Sequence, residues 1–119
     1  TVTAAAVELK GNVGTGTAEM SSSPEDQATI SSTMKKYLGR VRQCYERELK
    51  SDPDLGGKVT VSFDIASGTG NVSGTSIVGN TTGNAGLGEC IKKVVQRIRF
   101  PAPEDDVEVS AYPFILSLQ

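Results

Sequence analysis

At 119 residues, with 22% charged and 37% hydrophobic residues, the chain can bury one core but not two. A net charge of -2 supplies no global field toward nucleic acid or an acidic membrane surface. There is no histidine and there are only two cysteines, so the commonest general base is missing and a zinc site would lack ligands. An enzyme would need a nucleophile with its base, or a metal centre, so a non-enzymatic domain without metal or cofactor is expected. No apolar run approaches the roughly 18 residues that span a bilayer, so no direct membrane insertion by this fragment is expected. Any export signal or membrane anchor is expected to lie outside these residues.

Residues 1–23 are mostly Thr, Ala, Gly and Ser, a mixture that buries little surface per residue ordered. This predicts a linker or loosely ordered segment, with the domain proper at 24–119. Val7 and Leu9 alternate within it, so an extra N-terminal strand over residues 2–10 is an alternative.

Ser23-Pro24-Glu25-Asp26 predicts a helix start, because a serine cap, a proline in the first turn and early acids all suit unpaired amides. The helix need not be continuous from there. Ile30, Met34, Tyr37, Leu38, Val41, Cys44, Tyr45 and Leu49 recur at steps of three and four, one apolar stripe reaching Lys50. Lys35, Lys36, Arg40, Arg42 and Arg47 alternate with Glu46 and Glu48 on the other faces, the pattern of a solvated surface.

Ser51-Asp52-Pro53-Asp54 stops the helix and Gly56-Gly57 turns the chain. Val59, Val61, Phe63 and Ile65 then alternate with Lys58, Thr60, Ser62 and Asp64, predicting a half-buried strand over 58–66. After Ser67-Gly68-Thr69-Gly70, a weaker strand at 71–78 completes an antiparallel hairpin. Asn84 can cap a second helix whose inner face carries Leu87, Cys90, Ile91, Val94, Val95 and Ile98. Phe100-Pro101-Ala102-Pro103 ends it, and an extended pattern runs over 107–118. The order helix, strand, strand, helix, strand predicts an α+β fold: a three-stranded antiparallel sheet with two helices on one face.

The string Val41-Arg42-Gln43-Cys44-Tyr45-Glu46-Arg47-Glu48-Leu49, then Pro53-Asp54-Leu55-Gly56-Gly57-Lys58-Val59, resembles the myxobacterial AgmX/PglI C-terminal domain, a branch of the TonB C-terminal family. Glu89-Cys90-Ile91, Arg99-Phe100-Pro101-Ala102-Pro103 and Tyr112-Pro113-Phe114 follow in that branch's order and approximate spacing, so the resemblance covers roughly 30–116. It departs where Ile98 and Arg99 stand in place of a frequent tryptophan, and where the hairpin turn lacks the frequent Asp-Gly. The resemblance implies a periplasmic domain of a cell-envelope protein anchored in the inner membrane. It further implies an association with gliding motility, energy transduction toward the outer membrane, and outer-membrane or periplasmic protein partners.

Within that frame Cys44 and Cys90, each on the inner side of a helix, are expected to form a disulfide; two buried free thiols are the alternative. The last strand is expected to be an edge that captures a partner's extended segment, through Val107, Glu108, Val109, Ser110, Ala111, Tyr112, Phe114, Ile115 and Leu116. Its apolar parity switches from odd to even positions, predicting a bulge near residues 111–113, and Pro113 argues for an edge or bulge. An edge that pairs with nothing, or with the N-terminal segment, is the competing reading. Two functions follow: a coupling module that binds partners by strand addition, or a structural or self-associating envelope domain without a captured peptide, for which a homodimer is compatible. Glu104-Asp105-Asp106 is read as a solvated acidic run, and Gly68-Thr69-Gly70, joining two strands, as no phosphate loop.

Overall fold

The structure is a computed structural model that describes residues 11–15, 18–21 and 24–118. Its elements are β1 (Gly11–Thr15), β2 (Glu19–Met20), α1 (Pro24–Lys36), α2 (Leu38–Leu49), β3 (Gly57–Ile65), β4 (Val72–Asn80), α3 (Ala85–Gln96) and β5 (Val107–Leu118). All strand pairs are antiparallel in one five-stranded sheet ordered β1-β5-β3-β4, with β2 also on β5. The α+β class agrees with expectation, but the described residues hold three helices and five strands rather than two and three. The alternative strand at 2–10 lies outside the described residues.

β3 forms because its alternation divides the strand cleanly: Val59, Val61, Phe63 and Ile65 are buried while Lys58 and Asp64 are exposed. The same face of β5 contributes Val107, Val109, Tyr112, Phe114 and Leu116 to a single core. The helices close that core with Ile30, Met34, Val41, Cys44, Tyr45 and Leu49, and with Leu87, Ile91 and Val95. α2 packs beside α3, reaching over β1, while α3 lies over β4. Glu108, Ser110, Ile115 and Ser117 are exposed on the opposite face, which no helix among the described residues covers.

The first apolar stripe is carried by two helices, not one. Tyr37 interrupts it with φ -99° and ψ -1°, and its amide donates to the Met34 carbonyl at 2.9 Å, one residue short of an α-helical bond. Gly39 follows at once, a weak helix former, so the restart at Leu38 meets little resistance to a change of direction. Side-chain spacing continues through the break, so periodicity does not reveal it.

Two docking contacts set the loops. The Tyr45 hydroxyl donates to the Leu55 carbonyl, pinning the turn after α2. Gly70, at φ +74°, lies so close to the Phe100 carbonyl that an added Cβ would stand 1.8 Å from its oxygen. That approach lets the Phe100 amide donate to Gly70 at 3.0 Å, and Phe100 stacks on Phe63 with ring centroids 5.9 Å apart. Phe100 is thus the packing anchor of the segment that follows α3.

The expectation that β5 is a free edge is corrected. β3 pairs with one side from Leu116 back to Val107, and β1 and β2 occupy the other. The strands lie within the segment expected as a linker, because β5's unpaired groups recruit any nearby extended backbone. The bulge is present: Val61 pairs with Tyr112 but Phe63 with Val109, so Ser110 and Ala111 stand opposite Ser62. Pro113 is buried inside the sheet rather than at its rim. It is tolerated because β1 ends opposite Phe114 and β2 begins opposite Ala111, leaving Pro113 facing the break between them.

Candidate functional site

Two surfaces gather chemistry. The first is the outer side of β5. β1 runs along it in unbroken register from Gly11↔Leu118 to Thr15↔Phe114, so Ile115 and Leu116 face Gly14 and Val13. β2 covers Ala111 and Val109, and the ladder extends beyond it through the Ser21 amide, which donates to the Glu108 carbonyl at 2.9 Å. The Ser21 hydroxyl accepts from the Glu108 amide at 3.0 Å, and the Ser110 hydroxyl donates to the Glu19 carbonyl at 3.2 Å. The residues expected to bind a partner, Val107 through Leu116, therefore lie on one strand but are already covered over most of their length.

The cover is thin in side chains. Val13 is half-buried against the core, whereas Gly14 puts nothing over Ile115, which remains 44% exposed. Tyr112 is tied to this edge as well. Its hydroxyl bonds with the side chains of Ser31 and Thr15, and burial, the larger influence, raises its pKa above the ordinary tyrosine value.

The second surface lies between α2 and α3. Cys44 and Cys90 are joined by a disulfide, with Cα atoms 5.8 Å apart. Cys44 is buried, while Cys90 is partly exposed at the floor of a groove of about 520 Å3. Arg40 and Arg47 reach this groove from α2, Lys93 from α3 and Arg97 from the residue that caps its C-terminus, with Glu89 as the one carboxylate among the described lining residues. Arg47 Nη2 donates to Cys90 Sγ at 2.9 Å, and the Arg40 guanidinium stands 5.8 Å from the Tyr37 ring centroid.

Sequence reasoning placed Arg40 and Arg47 on a merely solvated face and did not single out Lys93 or Arg97. The signal was the spacing from the cysteines. Arg40 and Arg47 stand four before and three after Cys44, and Lys93 and Arg97 three and seven after Cys90. Once the cysteines are joined, those helical spacings bring all four cations beside the seam.

The remaining polar motifs serve the scaffold. Asn84 caps α3, its Oδ1 accepting from the Leu87 amide at 2.9 Å while its Nδ2 donates to Glu48 Oε1 at 3.1 Å. Asp106 accepts from the Ser67 amide at 2.8 Å, and that bond holds its pKa below the usual aspartate range. Glu104 and Asp105 are exposed beside it. Among the described residues no three His, Cys, Asp or Glu side chains converge as a metal site, and no helix is long and apolar enough to cross a membrane.

Compared with protein-family models, with curated proteins and with solved structures, the chain matches none.

Proposed function

We propose that this chain is a non-enzymatic protein-binding domain, TonB-like and periplasmic, that takes an extended segment of an outer-membrane or periplasmic partner as an added strand on β5. In this reading it belongs to an inner-membrane-anchored envelope protein, of the gliding-motility kind suggested by the motif order around Cys44, Cys90 and Phe100. β1 and β2 then act as a resident cover that a partner strand displaces.

The observation that carries the reading is the ease with which β5 accepts backbone. Five consecutive residues of β5 pair antiparallel with Gly11, Asn12, Val13, Gly14 and Thr15, a segment in which Val13 is the one apolar side chain. Ordering such a segment costs about 1–2 kcal/mol per residue in backbone entropy, most for glycine. Net hydrogen bonding returns about 0.5–1.5 kcal/mol per bond, and Val13 less than the roughly 1.5–3 kcal/mol of a fully buried valine. The cover is therefore close to balance. A competing strand with an apolar residue at the position of Val13 and a bulky one at the position of Gly14 would bury the core edge equally and cover Ile115 too.

The opposite end of the sheet, β4, suits addition less. β4 slips twice against β3, between Thr60 and Val61 and between Ser62 and Asp64, and Gly74 has φ +61°. Such bulges blunt an edge against pairing.

A cystine between Gly14→Cys and Ile115→Cys tests the reading, because these residues are register partners and nothing lies within 4 Å of a Cβ built at Gly14. Candidate envelope peptides should shift amides along β5 in the parent and in the Gly14→Cys single variant, and lose affinity for the locked form. Equal binding by the locked form would refute displacement of β1. The filled edge of β5 also favours a second reading, a structural domain whose sheet is complete. A locked form that sustains envelope assembly in cells as well as the parent would decide for it.

A further inference from the structure

We propose that the groove between α2 and α3 is a second binding site, which takes a carboxylate-rich segment of a partner protein. It does not rest on the strand-addition reading. The four cations arrive from α2, from α3 and from the residue that ends α3, and among the described residues none has a carboxylate within ion-pair distance, whereas Arg42 pairs with Glu46 at 3.8 Å on α2. Gathering four like charges against one carboxylate, in a chain of net charge -2, is self-repelling until an anion arrives.

The groove is built for such a ligand. The disulfide fixes the spacing of its two walls, so little ordering remains to be done on binding. Arg47 spends one N–H on Cys90 Sγ, a weak acceptor, and retains donors for a bidentate carboxylate contact. Tyr37 and Val94 add apolar flanks against which the stems of Asp or Glu neighbours can lie.

Other anionic partners fit less well. Among the described residues the large exposed hydrophobic side chains are Val78 and Ile115, both on the sheet, so none of them gives the groove an apolar anchor for a lipid surface. About 520 Å3 accommodates a few side chains, and the acidic remainder of the chain would repel a long nucleic-acid backbone.

The probe is a short peptide carrying a run of aspartates within Gly and Ser, with its all-asparagine counterpart as control. Titrated into the full chain at about 0.05 M salt, the acidic peptide should move the Arg40, Arg47 and Arg97 side-chain N–H signals, and binding should weaken steeply toward about 0.5 M. The double variant Arg40→Gln/Arg97→Gln removes two exposed cations and should bind about tenfold or more weakly. Lys93→Gln serves as a second variant if the first unfolds by circular dichroism. No binding, shifts centred on Lys35 and Lys36 instead, equal binding of the asparagine peptide, or tighter binding of anionic vesicles or oligonucleotides would each overturn the proposal. Self-association lost in the double variant would also overturn it, making the Glu104-Asp105-Asp106 run of a second copy the occupant.

Discussion

The two neighbours of β5 hold it in different ways. β3 meets it from Gly57↔Leu116 to Ile65↔Val107, and every second β3 residue from Val59 to Ile65 is buried in the shared core. β1 and β2 meet the other side in two pieces, with a break opposite Pro113, and their partly buried apolar residues are Val13 and Met20. The first neighbour is specified by side chains, which fix both face and register. The second is held mainly by backbone groups, which any extended chain can supply. One strand can thus have a permanent partner and an exchangeable one, and the difference is measurable.

The largest effect should come from the permanent side. Phe63 is buried at 1% exposure and stacked on Phe100, so Phe63→Ala should cost about 3–5 kcal/mol in a denaturant titration. Val13→Ala should cost under about 1 kcal/mol, because Val13 is only half-buried. Comparable losses from the two substitutions would erase the distinction.

Next comes the helical layer. Replacing Cys44 and Cys90 together by alanine opens a link across 46 positions and should cost about 2–4 kcal/mol. Amide exchange should then accelerate in α2 and α3 before it does so in β3. Strand addition at β5 should persist under native conditions, since the bond lies between helices. Binding of the acidic peptide should fall, because the groove walls lose their fixed spacing.

A smaller effect links the two sides. Tyr112→Phe removes the hydroxyl that meets Ser31 and Thr15, at about 1 kcal/mol, and should speed exchange of the β1 amides while leaving those of β3 unchanged. The native pKa of Tyr112, like that of Tyr45, is raised by burial. Their contribution is therefore complete below the ordinary tyrosine value near 10 and is lost as pH rises through the raised native values. The parent should lose stability in that alkaline range, and Tyr112→Phe should lose less.

What could be read in advance follows the same division. Val59, Val61, Phe63 and Ile65 announce β3 because burial on one face demands alternation, and the parity change at Ala111 to Tyr112 announces the bulge for the same reason. Asn84 and its helix were legible from a cap followed by an apolar face. β1 was not, since Gly11-Asn12-Val13-Gly14-Thr15 shows no apolar alternation in sequence and its pairing is set by the edge it covers. Tyr37 hid the helix break inside a continuous stripe. The cationic groove exists only once α2 and α3 lie together, so charges 53 positions apart, as Arg40 and Lys93 are, look unrelated along the chain.

Asp106 offers the smallest and most local test, at the junction where the β3–β4 turn meets the start of β5. The Ser67 amide donates to its carboxylate, and the depressed native pKa means that the ionised form is favoured by folding. The contribution is therefore present above the ordinary aspartate value near 4 and is lost as pH falls through the lower native value. Asp106→Asn should flatten that acid dependence and loosen the turn at Ser67, visible as faster exchange of the Ser67 amide. Because the lesion sits beside β3 and away from Gly11–Thr15, peptide capture on the outer side of β5 should not change. A variant that altered capture as well would mean that the two sides of β5 are coupled, and that β1 is no independent cover.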